Sequence, residues 1–161
     1  NFLIAPEPLI QKNFSRIMSL KDGKKKMSKS DPSDQSRINM TDDKDQIVNK
    51  IKKAKTDSGE FPKNNNDLNK RPELNNLFGI YSSIQDQDMK STIYEFQGKN
   101  FSEFKNRLVE VLVEKIYPIS KEISKLLKDE KYIDEVLIEG SVKAEKIAKK
   151  KVYDIKKKIG F

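Results

Sequence analysis

Lys21-Asp22-Gly23-Lys24-Lys25-Lys26-Met27-Ser28-Lys29-Ser30-Asp31-Pro32 is the stretch around which the rest of the chain is organised. By composition it follows neither the helical nor the strand period and reads as a loop. Asp22-Gly23 is turn chemistry, and Pro32 restricts the residue before it. Lys26 and Lys29 stand three positions apart on this loop, a spacing that lets two ammonium groups reach adjacent phosphates of one nucleotide. Ser28 and Ser30 add hydroxyl donors, and Asp31 can accept from backbone amides where the loop turns away. Lys24 and Lys25 raise the local positive potential without being needed individually.

Upstream, Phe14, Arg16 and Met18 alternate with Ser15, Ile17 and Ser19, which predicts a short strand to Leu20 with both faces partly covered. Downstream, helical spacing takes over. Thr41 is expected to cap a helix in which Asp42, Asp43 and Asp45 suit the dipole and Ile47, Ile51 and Ala54 share a face to about Lys55. Thr56 to Lys70, with Gly59, Pro62 and Asn64-Asn65-Asn66, carries few apolar groups and is expected to be a surface loop open to disorder. Pro72 suits the first turn of a helix with Leu74, Leu77, Phe78, Tyr81 and Ile84, and a further helix with Met89, Ile93 and Phe96 ends near Gly98. Ser102 is expected to cap a long helix, kinked at Pro118, that carries Phe104, Leu108, Val111, Leu112, Ile116, Ile123 and Leu127. Asp129 caps a last helix that runs through Gly140 to Gly160. One strand, one cationic loop and a helical C-terminal two thirds is the predicted organisation.

Composition narrows the chemistry. The chain has 161 residues, 35% of them hydrophobic, with eight Phe, five Tyr and no Trp, enough for one domain with a modest core rich in Ile, Leu and Val. A net charge of +8 favours a polyanionic partner such as nucleic acid or phosphate. With no Cys and no His there can be no disulfide, thiol nucleophile, zinc-finger site or Ser-His-Asp triad within it, which leaves Lys, carboxylates, hydroxyls and backbone amides. No metal-ligating residue is singled out. No apolar run approaches the roughly 20 residues of a membrane span and no leader pattern is present, so a cytoplasmic location is expected. The start at Asn1, without capping or turn chemistry ahead of the first apolar segment, predicts a piece of a longer protein.

The plain alternative for Lys26-Met27-Ser28-Lys29-Ser30 is a solvated charge run in a Lys-rich protein. The predicted strand before it and Asp31-Pro32 behind it weigh against that alternative. The pentapeptide matches the signature loop of class I aminoacyl-tRNA synthetases, and its surroundings resemble the bacterial tryptophanyl-tRNA synthetase family. The resemblance runs through Arg16-Ile17-Met18-Ser19-Leu20, Lys50-Ile51-Lys52-Lys53-Ala54 and Thr56-Asp57-Ser58. It continues in Asn76-Leu77-Phe78, Ile80-Tyr81-Ser82, Tyr94-Glu95, Gly98-Lys99, Phe104-Lys105, Glu139-Gly140 and Lys143-Ala144.

That resemblance implies a mainly α fold, with residues 1–40 as the C-terminal part of a Rossmann-type α/β catalytic domain bearing the loop and residues 41–161 as a helical, anticodon-side bundle. It implies ATP-dependent activation of L-tryptophan to tryptophanyl-adenylate, with Mg²⁺ accompanying the ATP, then transfer to tRNA(Trp). Lys26 and Lys29 would be catalytic, Lys29 stabilising the leaving pyrophosphate. Ile17, Lys26, Met27, Ser28, Lys29 and Ser30 would bind ATP, with Ile17 against the adenine ring; for Ile17 a core-facing strand position stands as an equal alternative. A cytoplasmic homodimer of the full-length enzyme is implied as well.

The chain departs from the family pattern in lacking the HIGH-like signature and the segments of the tryptophan pocket and most of the dimer interface, so it is expected to be a C-terminal portion, inactive alone. Glu73 follows Pro72 where the family has Pro-Gly, and the segment from Gly59 to Lys70 is Asn-rich. Between Val142 and Phe161, eight lysines face only Glu145 and Asp154, a net +6 suited to phosphate backbone and to a steep salt dependence. Lys143, Lys146 and Lys150 are the candidate tRNA contacts, although for any single lysine a solvated face is the better reading. Phe78, Tyr81, Phe96 and Phe104 fit a core better than a stacking platform, while Tyr132 and Tyr153 are open. The alternatives are a tyrosyl-tRNA synthetase, a non-catalytic helical RNA-binding module and a purely structural bundle.

Overall fold

The structure is a computed structural model that describes residues 3–10 and 14–161. It is mainly helical: α1 spans Lys44–Lys53, α2 Asn65–Asn69, α3 Pro72–Ile84, α4 Met89–Glu95, α5 Phe101–Leu126 and α6 Glu130–Ile159, with a 3-10 turn at Asp34–Ser36 before them.

The strand expected over Phe14 to Leu20 does not form. Among the described residues there is no strand, only an isolated antiparallel bridge between Met18 and Lys26. The reason lies in where the backbone groups go. The Met18 amide donates to Asn76 Oδ1 and Asn76 Nδ2 donates back to the Met18 carbonyl, both at 2.8 Å. Leu20 N donates to Ser36 O, and the Leu20 carbonyl accepts from Lys55 N. These partners come from a side chain and separate loops, so no ladder propagates. Phe14 sits at φ 54°, left-handed backbone that no strand uses.

Two caps also differ from expectation, for one reason. The cap of α1 is Asp43, not Thr41: its carboxylate accepts from Gln46 N while Gln46 Oε1 accepts from Asp43 N, each at 2.8 Å. At α5 the cap is Asn100, not Ser102; its side chain accepts from Ser102 N and Glu103 N, and Glu103 accepts from Asn100 N. A reciprocal box needs a side-chain acceptor three residues on; Asp43 and Asn100 have Gln46 and Glu103 there, whereas Thr41 and Ser102 have only Lys44 and Lys105. Elsewhere the expected signals hold. Pro72 opens α3, Asp129 caps α6, and Gly160 ends α6 in the left-handed conformation, while α4 is capped by Asp88, which the sequence reading did not single out. α5 continues unbroken through Pro118.

The segment from Thr56 to Lys70 is anchored rather than loose. Asn64 forms a capping box with Asp67 at the start of α2, Leu68 is buried, and the Phe61 ring lies 5.4–5.5 Å from those of Phe101 and Phe78. Phe61 thereby joins the core, in which Phe78 stacks on Phe104 at 4.4 Å and Phe96 meets Phe104 and Tyr81 edge-on at 4.9 and 5.0 Å. Ile47 and Ile51 of α1, Leu74 and Leu77 of α3, and Leu108 and Leu112 of α5 complete it. The four aromatics expected in the core are all there. Tyr81 keeps its hydroxyl satisfied by donating to Glu95, and burial pushes its pKa up.

Contacts divide the chain into two compact units, Asn1–Ser120 and Lys121–Phe161. The first holds the core just described. In the second, α6 buries none of its residues and is stitched along its surface by Glu139–Lys143 and Glu145–Lys149 ion pairs. Among the described residues no helix is long and apolar enough to cross a membrane.

Candidate nucleotide loop

The loop is built on a turn that only glycine permits. Asp22 accepts from the amides of Lys24 and Lys25, one through its carboxylate and one through its carbonyl, each at 3.0 Å. Gly23 is pressed so closely on the start of α3 that a Cβ would lie 2.4 Å from Glu73 N and 2.5 Å from the Pro72 carbonyl carbon. Lys55 pairs with the Glu73 carboxylate at 3.0 Å, and this bond, with a smaller contribution from the Gly23 amide, holds that carboxyl below its ordinary value. The turn is thus docked on a helix N-terminus.

From that base the chain runs back along residues 17–19. Ser19 N donates to Lys25 O at 2.8 Å, Lys26 bridges Met18, and Met27 N donates to Ile17 O at 3.0 Å. These three links bring Ile17 beside the signature residues, where it is 42% exposed. Lys26, Lys29 and Ser30 are exposed, whereas Met27, which packs against the core, and Ser28 are half-buried. Ser28 Oγ lies 3.0 Å from Ser30 Oγ and accepts from Ser30 N at 3.3 Å, and the Ser28 carbonyl accepts from Asp31 N. Two hydroxyls are therefore gathered on one tight turn. Neither Lys26 nor Lys29 forms a salt bridge with a described residue, so both ammonium groups remain available to an anion.

The exit is held from the other side. Ser33 N donates to Asp31 Oδ1 at 2.8 Å, and Arg37 Nη1 donates to the Asp31 carbonyl at 2.9 Å. Arg37 also bonds Asn39 through Nε and pairs with Asp34, which in turn meets Lys50 Nζ at 2.7 Å. Those contacts, Lys50 first, keep the Asp34 carboxyl below its ordinary value. Sequence reasoning missed Arg37, Asn39, Asp42, Lys50 and Asn76. A signal for Lys50 existed: it occupies a position on the buried stripe of α1, between Ile47 and Ala54, where an unpaired lysine could not stay.

The basic residues of the second unit stand apart in kind. Lys143, Lys146 and Lys150 are all exposed on α6, and Lys143 is paired with Glu139 at 2.6 Å.

The family model described as tRNA synthetases class I (W and Y) matches residues 1–146. The chain belongs to that family. It is similar to the tryptophan–tRNA ligase of Agrobacterium fabrum, 48% identical over 155 residues that make up 96% of this chain and 44% of the relative. With the tryptophan–tRNA ligase of Rickettsia conorii it shares 43% identity over 159 residues, 99% of this chain and 48% of the relative. Among solved structures, tryptophanyl-tRNA synthetase from Campylobacter jejuni complexed with ADP and tryptophan superposes at a TM-score of 0.66 with 26% identity, covering 97% of this chain and 47% of that one. The Mycoplasma pneumoniae tryptophanyl-tRNA synthetase shares the fold at a TM-score of 0.77 and 24% identity, over 94% of this chain and 45% of that one. The chain thus spans less than half the length of these relatives.

Proposed function

We propose that this chain is the C-terminal portion of a tryptophan–tRNA ligase and that Lys26-Met27-Ser28-Lys29-Ser30 is its ATP-phosphate loop. In this reading residues 1–40 close the Rossmann-type catalytic domain and residues 41–161 form the helical, anticodon-side domain. The observation that carries it is the turn itself: two lysines in no ion pair with a described residue and two hydroxyls on a loop docked at both ends. A tryptophan carboxylate oxygen bonds to the α-phosphorus of ATP as the bond from that phosphorus to the pyrophosphate oxygen breaks. Negative charge gathers on the departing pyrophosphate, and Lys29 and Lys26 meet it there. Met27, Ser28 and Ser30 shape the phosphate contacts, and Ile17 lies against the adenine. Mg²⁺ would arrive on the triphosphate's own oxygens, since the groups this turn offers are ammoniums and hydroxyls rather than a carboxylate cage.

The second half-reaction transfers tryptophan to tRNA(Trp), with Lys143, Lys146 and Lys150 as contacts to its backbone in a cytoplasmic homodimeric enzyme. The relatives' names support tryptophan over tyrosine as substrate. In the full-length protein that carries this sequence, Lys29→Ala should slow tryptophan-dependent ATP–pyrophosphate exchange by about 10²–10³. Unchanged exchange in that variant rejects the loop assignment, exchange driven by tyrosine moves the protein to the sister specificity, and tRNA binding without any exchange favours a non-catalytic RNA-binding module.

A further inference from the structure

We infer that Arg37, backed by Lys50 and Asp42, is a positioning residue that sets the direction in which the Lys26–Ser30 turn presents its lysines; the inference rests on the function proposed above. Arg37 holds the backbone immediately after the signature, donating through Nη1 to Asp31 O at 2.9 Å and more weakly to Ser33 O at 3.5 Å. Its own place is fixed by Nε to Asn39 Oδ1 at 2.9 Å and by Nη2 to Asp34 at 3.3 Å. Asn39 is gripped in turn: Asp42 accepts its amide at 2.9 Å and its Nδ2 at 3.1 Å, and Asp34 accepts Nδ2 at 2.8 Å. Lys50 closes the set from α1, with Nζ 2.6 Å from Asp42 and 2.7 Å from Asp34, and it is only 2% exposed.

A lysine and an aspartate buried together add little stability over apolar side chains of equal size, because desolvation offsets their attraction. What they add is direction. Each bond in the set fails if its partner swings away, so the polar groups define one geometry where packed methyl groups would accept several. Past the links of residues 25–27 to residues 17–19 the turn has only the serine contacts of its own, so the exit shares in setting its aim. Transition-state stabilisation by a donor depends on placement to about 0.5 Å, which makes the exit a point of leverage on Lys29.

The experiment is a double-mutant cycle in the full-length protein, read as tryptophan-dependent ATP–pyrophosphate exchange. Arg37→Gln should lower kcat about tenfold and raise KM for ATP while KM for tryptophan stays within about twofold, because the amino-acid pocket does not depend on this exit. Arg37→Lys should recover part of the loss, since one ammonium can still reach the Asp31 carbonyl. In a Lys29→Ala background Arg37→Gln should cost less than about twofold further, because the group it aims is gone. Asp42→Asn with Lys50→Met, which strands no charge, should reproduce the same split between kcat and KM for tryptophan. Additive losses in the cycle, equal damage to tryptophan KM, or full activity in Arg37→Gln would overturn the inference while leaving the proposed function in place. A wild-type protein without exchange would sink the proposed function itself.

Discussion

α3 and α6 carry apolar residues at the same helical spacing and use them in opposite ways. In α3, Leu74, Leu77, Phe78 and Tyr81 are all buried, and α1, α4 and α5 contribute to the same core. In α6, over 30 residues, none is buried, and Val136, Leu137, Ile147 and Val152 all face outward within their unit. Periodicity therefore reports the helix and says nothing of what covers it. α3 is held by packing, while α6 holds itself through its Asp129 cap, its Gly160 stop and its i,i+4 ion pairs.

The largest contrast should come from truncation. Phe104 is fully buried among aromatic rings, so Phe104→Ala should lose about 3–5 kcal/mol of unfolding free energy in urea, whereas Ile147→Ala, at a residue 78% exposed, should stay within about 0.5 kcal/mol. A large loss at Ile147 would break the comparison by showing that the outward side of α6 is covered in the full-length protein. Glycines sharpen it next. At Gly79 a Cβ would fall 1.5 Å from the Phe14 ring, and Gly79→Ala should destabilise by about 1–3 kcal/mol. Gly140 has open space around it, and Gly140→Ala should raise the melting temperature through about 0.5–1 kcal/mol of backbone entropy.

Caps follow. Asn100→Ala removes an acceptor shared by two amides and should cost about 1 kcal/mol, more than Asp129→Ala, which frees one amide; thermal unfolding would rank them. The smallest effect is a pH dependence of the first unit. The Arg71 guanidinium beside Asp57 lowers that carboxyl below its ordinary 3.8. The pair's contribution is complete above that unfolded value and fades as pH falls through the lower folded one. Asp57→Asn should flatten this acid limb by under about 1 kcal/mol, the site being part-exposed, and an unchanged limb would assign acid sensitivity to other carboxylates.

The helical part was legible because its signals are local: Pro72 at a first turn, Asp129 at a cap and the stripe of Leu74, Leu77 and Phe78 need no distant partner to be read. The segment from Phe14 to Leu20 was not, since alternation is identical whether or not a neighbouring strand exists to accept the hydrogen bonds, and here Asn76 takes that place. In residues 56–70 the polar run Asn64-Asn65-Asn66 concealed Phe61 and Leu68, two side chains sufficient to anchor the segment. The candidate site divides similarly. Lys26, Lys29 and the serines stand out as a motif, but Arg37 acts on the Asp31 carbonyl, an acceptor every residue possesses, so no pattern of side chains could announce it.

Lys24, Lys25 and Lys26 carry one side chain in three backbone offices. The first donates its amide to the Asp22 carboxylate, the second donates to the Asp22 carbonyl and accepts from Ser19, and the third bridges Met18. Removing any one of them produces the same shortened protein, and the survivors cannot fill all three offices. The links to residues 17–19 would then fall to the wrong residues of the tract. Exchange of these lysines for arginine keeps the count and should be mild, while deletion keeps most of the charge and loses the alignment. The tract is a ruler before it is a charge, and its graduation fixes the entrance of the turn whose exit Arg37 holds.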